Sequence, residues 1–249
     1  TDCLNFGDPE REETAYQLKE CVNGMARASK ALNTPVISGN VSLYNESHGQ
    51  AIYPTPIIGA IGLLENVTQY ATSAFKHPSD TVVLLGSESM RHDATALAGS
   101  EYLEIFHNLV AGRPKIDLDL ERAVQNTCRK AIWEGVLSSA HDCSDGGLAV
   151  ALAECCIQGR LGFTGNLIPL NRWDTILFGE TQSRIVVSLS ADKLLKLNRI
   201  CQNDGTPYTV LGQVGRNSFT IPPHVDLGID QLEASWQNGL TRSLTDVTP

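Results

Sequence analysis

The segment Asp2-Cys3-Leu4-Asn5-Phe6-Gly7 sets a carboxylate, an amide and a glycine directly ahead of a helical pattern. Asp2 and Asn5 could address a polar ligand. Equally, the hexapeptide could be a strand end turning through Gly7 into an N-capped helix. A second segment, Ser38-Gly39-Asn40-Val41-Ser42-Leu43-Tyr44-Asn45-Glu46, is more pointed. On a strand, Asn40 and Ser42 share one face while Val41 and Leu43 take the other. Gly39 would let a ligand approach the backbone closely. The amide oxygen of Asn40 is a hard ligand suited to Mg²⁺, and the Ser42 hydroxyl could bond a phosphate or another hydroxyl. A half-exposed strand with a bulge at Gly39 accounts for the same residues without any ligand.

A third segment, His141-Asp142-Cys143-Ser144-Asp145-Gly146-Gly147-Leu148, runs from a strand into a helix. Glycines with free amides at a helix start favour anions, but Asp142 and Asp145 in the same turn favour a metal-bridged phosphate over a bare one. The alternative is a plain capped helix with Asp145 at or near the N-cap. In the fourth, Phe178-Gly179-Glu180-Thr181-Gln182-Ser183-Arg184, Glu180 and Arg184 read as a structural ion pair, or Arg184 faces an anion. The sequence has no GxxxxGK[ST] loop and no GxSxG elbow, which excludes P-loop and α/β-hydrolase chemistry. His48, His77, His92, His107 and His224 lack metal-ligand spacing and read as surface residues.

The elements that must position these segments follow from apolar spacing and breakers. Pro9 with Glu10, Glu12 and Glu13 marks a helix start. Leu18, Val22, Met25, Ala26 and Leu32 carry the helix over 9–32, and Asn33-Thr34-Pro35 stops it. Residues 36–38 and 41–44 read as strand on either side of Gly39-Asn40. The apolar run 57–64 reads as a buried strand, and 65–80 as a link. Beyond it, 82–85 is a buried strand, 117–136 a helix, 138–141 a strand and 148–158 a helix ending near Gly159. Residues 185–189 are a strand and 191–203 a helix. The stretch 208–221 is strand-rich, with Gly212 and Gly215 as turns, and 226–240 is a last helix. Strands and helices mix without a strict βαβ rhythm, so the fold class is α+β in two domains divided near residue 80.

Composition bounds the partners. Hydrophobic residues are 42% and charged residues 19% of the sequence, a globular balance rather than a disordered one. Net charge is -9 with no Lys/Arg cluster, so no nucleic-acid partner is expected. No apolar run approaches the ~20 residues that span a bilayer, so no membrane partner is expected either. Seven cysteines without a CxxC read as reduced thiols in a cytoplasmic protein. The sequence opens at Thr1 and almost immediately enters a motif, which suggests a piece of a longer chain.

Taken together, TDCLNFGDPE, SGNVSLYNES, PTPIIG, LAGSEYL, HDCSDGGLAVALAE and LFGETQSRIVVS resemble, in order, the phosphoribosylformylglycinamidine synthase (formylglycinamide ribonucleotide amidotransferase) family. The resemblance implies an aminoimidazole-ribonucleotide-synthetase-like fold taken from the second half of a duplicated synthetase. Residues 1–80 would be an N-terminal-type domain truncated at its start, and 81–249 a complete C-terminal-type α/β sandwich domain. It also implies ATP-dependent amidation of formylglycinamide ribonucleotide by glutamine-derived ammonia, in purine biosynthesis. On this resemblance Asp2 and Gly39 bind ATP, Asn40 binds Mg²⁺ and Ser42 binds the ribonucleotide. Asp142, Asp145, Gly146, Gly147, Glu180 and Arg184 would form an auxiliary nucleotide site. The general-base histidine and the acidic metal ligands would lie in the missing N-terminal half of the same chain. No catalytic residue is therefore expected here, and the fragment alone should be inactive. The implied partners are that half, a glutaminase subunit and a small bridging subunit. Two other classes compete: a non-catalytic scaffold or docking half, and a small-molecule kinase on the same scaffold.

Overall fold

A computed structural model of the protein describes residues 1–86, 94–166 and 172–245. The chain divides into two compact units, Thr1–Asn66 and Val67–Pro249.

The first unit contains β1 (Asp2–Asn5), α1 (Glu12–Leu32), β2 (Gly39–Ser42), β3 (Glu46–Ser47), β4 (Gln50–Ala51) and β5 (Thr55–Ile58). Its three-stranded sheet has the order β2-β1-β5, with β1 parallel to β2 and antiparallel to β5. Parallel neighbours need a long crossover, and α1 supplies it. Glu12 and Glu13 stand in its first turn, and Asn33 ends it in the left-handed conformation at φ 53, a common helix stop. β3 and β4 form a hairpin through His48 and Gly49, both at positive φ, as a two-residue turn requires.

Two strand expectations fail here. Residues 36–38 are not a strand, because the β1–β2 ladder begins at the pair Asp2 and Gly39. The register then runs on without a break through Asn5 and Ser42, so Gly39 marks no bulge. The run 57–64 is not a buried strand either. Only Thr55–Ile58 pairs, because β1 offers four residues and the ladder ends at Asp2 and Ile58, leaving Ile61 and Leu63 exposed. Apolar character without a hydrogen-bonding partner does not make a strand.

The second unit is built on a seven-stranded mixed sheet of order β12-β11-β8-β10-β6-β9-β7. Its elements are β6 (Thr81–Leu85), a 3₁₀ turn (Ala94–Leu97), α2 (Glu101–His107), α3 (Leu118–Trp133), β7 (Ser139–Asp142) and α4 (Gly147–Gly159). There follow β8 (Phe163–Gly165), α5 (Trp173–Phe178), β9 (Ile185–Leu189), α6 (Leu194–Asp204), β10 (Tyr208–Val214), β11 (Ser218–Ile221), β12 (Val225–Gly228) and α7 (Ile229–Thr245). Alternation along β6 feeds two cores. Val82 and Leu84 join α4 and α5 residues on one face, while Val83 and Leu85 join α3 and α6 residues on the other. A strand covered on both faces reads as a continuous apolar run, which is why 82–85 was legible in the sequence. Phe75, from the segment read as a link, is buried in the first of these cores. Gly212 lies inside β10 at a register shift opposite β6 rather than in a turn. Residues 226–228, expected as the start of the last helix, belong to strand β12.

Candidate functional site

The two most chemical segments, 37 residues apart, are neighbouring strands. β1 and β2 pair Asp2 with Gly39, Cys3 with Asn40, Leu4 with Val41 and Asn5 with Ser42. The segment after β2 is also tied to the end of β1. Phe6 N donates to Ser42 O (3.0 Å), Tyr44 N to Gly7 O (3.0 Å) and Asn45 N to Phe6 O (3.1 Å). Each motif is therefore the other's hydrogen-bonding template.

Paired residues on parallel strands share a face and successive residues alternate. Asp2 and Gly39 thus share one face, and Asn40 and Ser42 lie on the opposite face with Cys3 and Asn5. The pair Asp2–Gly39 is held by space. A Cβ built on Gly39 would sit 1.6 Å from Asp2 Oδ1 and 2.7 Å from Asp2 O, so only glycine admits the carboxylate there. On the other face, Thr55, Asn5 and Ser42 stand side by side across three strands. Asn5 Nδ2 donates to Thr55 O (3.2 Å), which bridges β1 to β5. Asn40 is exposed, and none of the described residues hydrogen-bonds its amide. Val41, on the other face, is 57% exposed.

Asn45 is the residue that reading the motifs singly passes over. Its Nδ2 donates toward Phe6 O (3.0 Å), Ser42 O (2.9 Å) and Ser42 Oγ (3.1 Å), and its Oδ1 lies 3.2 Å from Ser42 Oγ. The Asn45 amide therefore anchors the half-buried Ser42 hydroxyl from both of its side-chain atoms. The clue in the sequence was the Asx-type residue three places after Ser42.

The 141–147 and 178–184 segments meet at the start of α4. Glu180 Oε1 accepts from Gly146 N (2.9 Å) and from Glu101 N (2.9 Å), so one carboxylate holds the starts of α2 and α4. An amide there that sequence reasoning offered to an anion is already taken by the chain itself. Gly147, at φ 70, leaves no room for a side chain, since a Cβ would lie 2.5 Å from Gly179 O. The helix cap is Gly146, without a side-chain cap bond, and the exposed Asp145 stands next to it, near the cap without bonding it. Glu180 and Arg184 are not an ion pair. Arg184 Nε donates to Thr181 O (3.0 Å) and its Nη2 to Gly179 O, while burial lowers its pKa. The exposed Asp142 accepts from Ser144 Oγ, which holds its carboxyl below the usual range, and His141 Nε2 lies 2.8 Å from Glu154 Oε2. His48, His77, His107 and His224 are exposed, and His92 lies outside the described residues.

Among the described residues, no group of three or more His, Cys, Asp or Glu side chains could hold a metal ion. No helix there is long and apolar enough to cross a membrane.

With this geometry in place, the chain can be set beside known proteins. Residues 1–64 match the family described as AIR synthase related protein, N-terminal domain, and residues 77–221 match its C-terminal domain. The phosphoribosylformylglycinamidine synthase subunit PurL of Anaeromyxobacter sp. (strain Fw109-5) is 45% identical over 251 residues, covering 96% of this chain and 32% of that protein. The chain therefore spans about a third of the length of the curated relatives it matches. Among solved structures, T. maritima PurL complexed with FGAR is similar, with a TM-score of 0.67 at 17% identity over 93% of this chain and 39% of that one. The thiamine-monophosphate kinase of Stenotrophomonas maltophilia K279a is similar with a TM-score of 0.56 at 16% identity, over 86% of this chain and 69% of that one. At such identities the two structures speak to the fold alone.

Proposed function

The chain belongs to the AIR synthase related protein family, and we propose that it is the part of a PurL-type synthase that lends one strand pair to the ATP-dependent amidation of formylglycinamide ribonucleotide. What carries the reading is the parallel register of β1 on β2, which fixes Asp2 against Gly39 and sets Asn40 and Ser42 side by side on the opposite face. The 45% identity to a PurL subunit supports the same reading. The whole reaction, its glutaminase and bridging subunits, and its cytoplasmic setting belong to the complete protein.

On this reading Asp2 addresses the nucleotide from the start of β1, with Gly39 keeping the space that its carboxylate occupies. Ser42 Oγ, anchored by the Asn45 amide, bonds the ribonucleotide and orients it. Asn40 suits Mg²⁺ as a single hard oxygen ligand, exposed and unclaimed by the described residues. The ion keeps several waters and phosphate oxygens in such sites. When bound, Mg²⁺ neutralises charge on the transferred phosphoryl group. Asp142, Asp145, Gly146, Gly147, Glu180 and Arg184 are retained as the place of an auxiliary nucleotide. The hydrogen bonds of Glu180 and Arg184 support a structural joint beside it.

The test is steady-state kinetics on the complete synthase carrying this sequence. Asn40→Ala should lower turnover, with partial recovery at high Mg²⁺. Ser42→Ala should raise the Michaelis constant for the ribonucleotide, with a smaller effect on Mg²⁺ dependence. Full activity of Asn40→Ala at low Mg²⁺ would defeat the metal assignment.

A further inference from the structure

Asn5 has no task in the amidation proposed above, yet it stands in the middle of the strand face that carries Ser42. It is half-buried on β1, paired with Ser42 of β2 on one side and with Thr55 of β5 on the other. Paired residues on neighbouring strands point to one face with the strands ~4.8 Å apart. One small ligand can therefore reach Asn5 and Ser42 together.

The Asn5 amide is oriented by the backbone around it. Its Nδ2 donates toward Thr55 O (3.2 Å), Cys3 O (3.3 Å) and Cys3 Sγ (3.4 Å). Two of these acceptors are backbone carbonyls, which only the nitrogen end of an amide can satisfy. The carbonyl end is left over. Among the described residues the one donor to Oδ1 is the Cys3 thiol at 3.8 Å, a weak donor. Thr55 adds a second acceptor to the row, because its hydroxyl proton goes to Tyr53 O (2.8 Å). Neutral oxygen acceptors side by side attract N–H and O–H groups and repel the oxygens of a phosphate, which only accept.

Resting on the amidation reading, we propose that Asn5 is a further substrate-binding residue. Its Oδ1 accepts a hydrogen bond from an N–H or O–H group of formylglycinamide ribonucleotide, beside the bond made by Ser42, and the phosphate of the ribonucleotide lies elsewhere. Those donors are present in the substrate before any bond is broken. The contact is thus made equally in the ground state and the transition state, and its loss raises the Michaelis constant while sparing turnover.

Steady-state kinetics on the complete synthase carrying this sequence tests this, with Asn5→Ala, Ser42→Ala and Leu4→Val compared. Leu4 is buried on the other face of β1, so Leu4→Val reports loss of packing alone. Asn5→Ala should raise the Michaelis constant for the ribonucleotide about three- to tenfold, the scale of one neutral hydrogen bond. Its turnover, Michaelis constant for ATP and Mg²⁺ dependence should stay near the parent values. Leu4→Val should lower the unfolding midpoint without moving the ribonucleotide constant. A crystal structure of the unaltered synthase with the ribonucleotide bound gives a second readout that needs no variant. A substrate nitrogen or hydroxyl oxygen should then lie within ~3.2 Å of Asn5 Oδ1. An unchanged ribonucleotide constant in Asn5→Ala, an equal rise in Leu4→Val, a Mg²⁺ requirement raised in Asn5→Ala, or a phosphate oxygen beside Oδ1 would each overturn the proposal. If Ser42→Ala raises the constant and Asn5→Ala does not, this inference fails alone. If neither variant moves it, the placement of the ribonucleotide on this face fails as well.

Discussion

Gly39 is the residue whose replacement speaks most directly about the strand pair. The side chain of Asp2 lies where a Cβ of residue 39 would be, and the backbone oxygen of Asp2 closes the same space. Overpacking of this kind costs ~1–3 kcal/mol, so Gly39→Ala should lower the urea midpoint of the first unit by a corresponding amount. Asp2→Ala should relieve part of that cost, because it removes the carboxylate but not the backbone contact. A double-mutant cycle that returns strict additivity would mean the two residues do not share the space. In the complete synthase Gly39→Ala should also weaken ATP binding, because the displaced carboxylate is the proposed nucleotide contact. Asn40→Ala, which disturbs no packing, should instead act on turnover by ~10²-fold, typical of losing one preorganised electrostatic contact. An equal loss of folding stability in both variants would argue that position 40 is structural.

Among the elements, Glu180 does what no single motif shows. Its carboxylate joins the starts of α2 and α4, elements whose contacting residues are 79 and 34 positions away. Glu180→Ala should therefore cost ~2–4 kcal/mol, two amides losing a charged acceptor, whereas Glu180→Gln keeps an oxygen and should lose less than half of that in chemical denaturation. Indifference of the alanine variant would remove Glu180 from that role. Long-range bonds of this sort explain where the sequence was silent. Val82–Leu85 and Ile185–Leu189 were legible because each buries itself by its own composition. Residues 36–38 and 57–64 were misread because strand extent there depends on the length of β1. Asn45 was passed over because its side-chain bonds reach back to Phe6 and Ser42. The helices add a pH signature. Burial raises the thiols of Cys128 on α3 and Cys201 on α6 to about 11, and of Cys156 on α4 to about 12. A raised pKa in the folded state means that stability is fully present below the unfolded thiol value and is lost as pH rises toward the folded one. Urea midpoints should thus fall from about pH 9 to 11, and Cys201→Ala should reduce that slope. A flat profile over this window would contradict the burial of these thiols.

Across the whole molecule the two units differ in what holds them. In the second unit, helices cover both faces of a seven-stranded sheet, and β6 feeds two separate cores. In the first, only Leu4, Phe6, Gly7 and Thr14 are buried, and Val41, Ile57, Ile58, Ile61 and Leu63 are exposed. Ordering a residue costs about 1–2 kcal/mol of backbone entropy, and a short segment with so little buried apolar surface has little to offset it. Local stability follows buried contacts and can vary widely within one chain. The chain should therefore unfold in two steps, the first unit at lower temperature, giving a calorimetric enthalpy larger than the van't Hoff value of either step. Hydrogen exchange should place the same boundary, with amides of β1, β2 and β5 exchanging well before those of β6 and β9. Gly39→Ala should lower only the first transition, and Glu180→Ala only the second. A single cooperative transition with uniform amide protection would mean that the strand pair carrying Asp2, Asn40 and Ser42 is stabilised as strongly as the seven-stranded core, and that its exposed apolar residues cost it nothing.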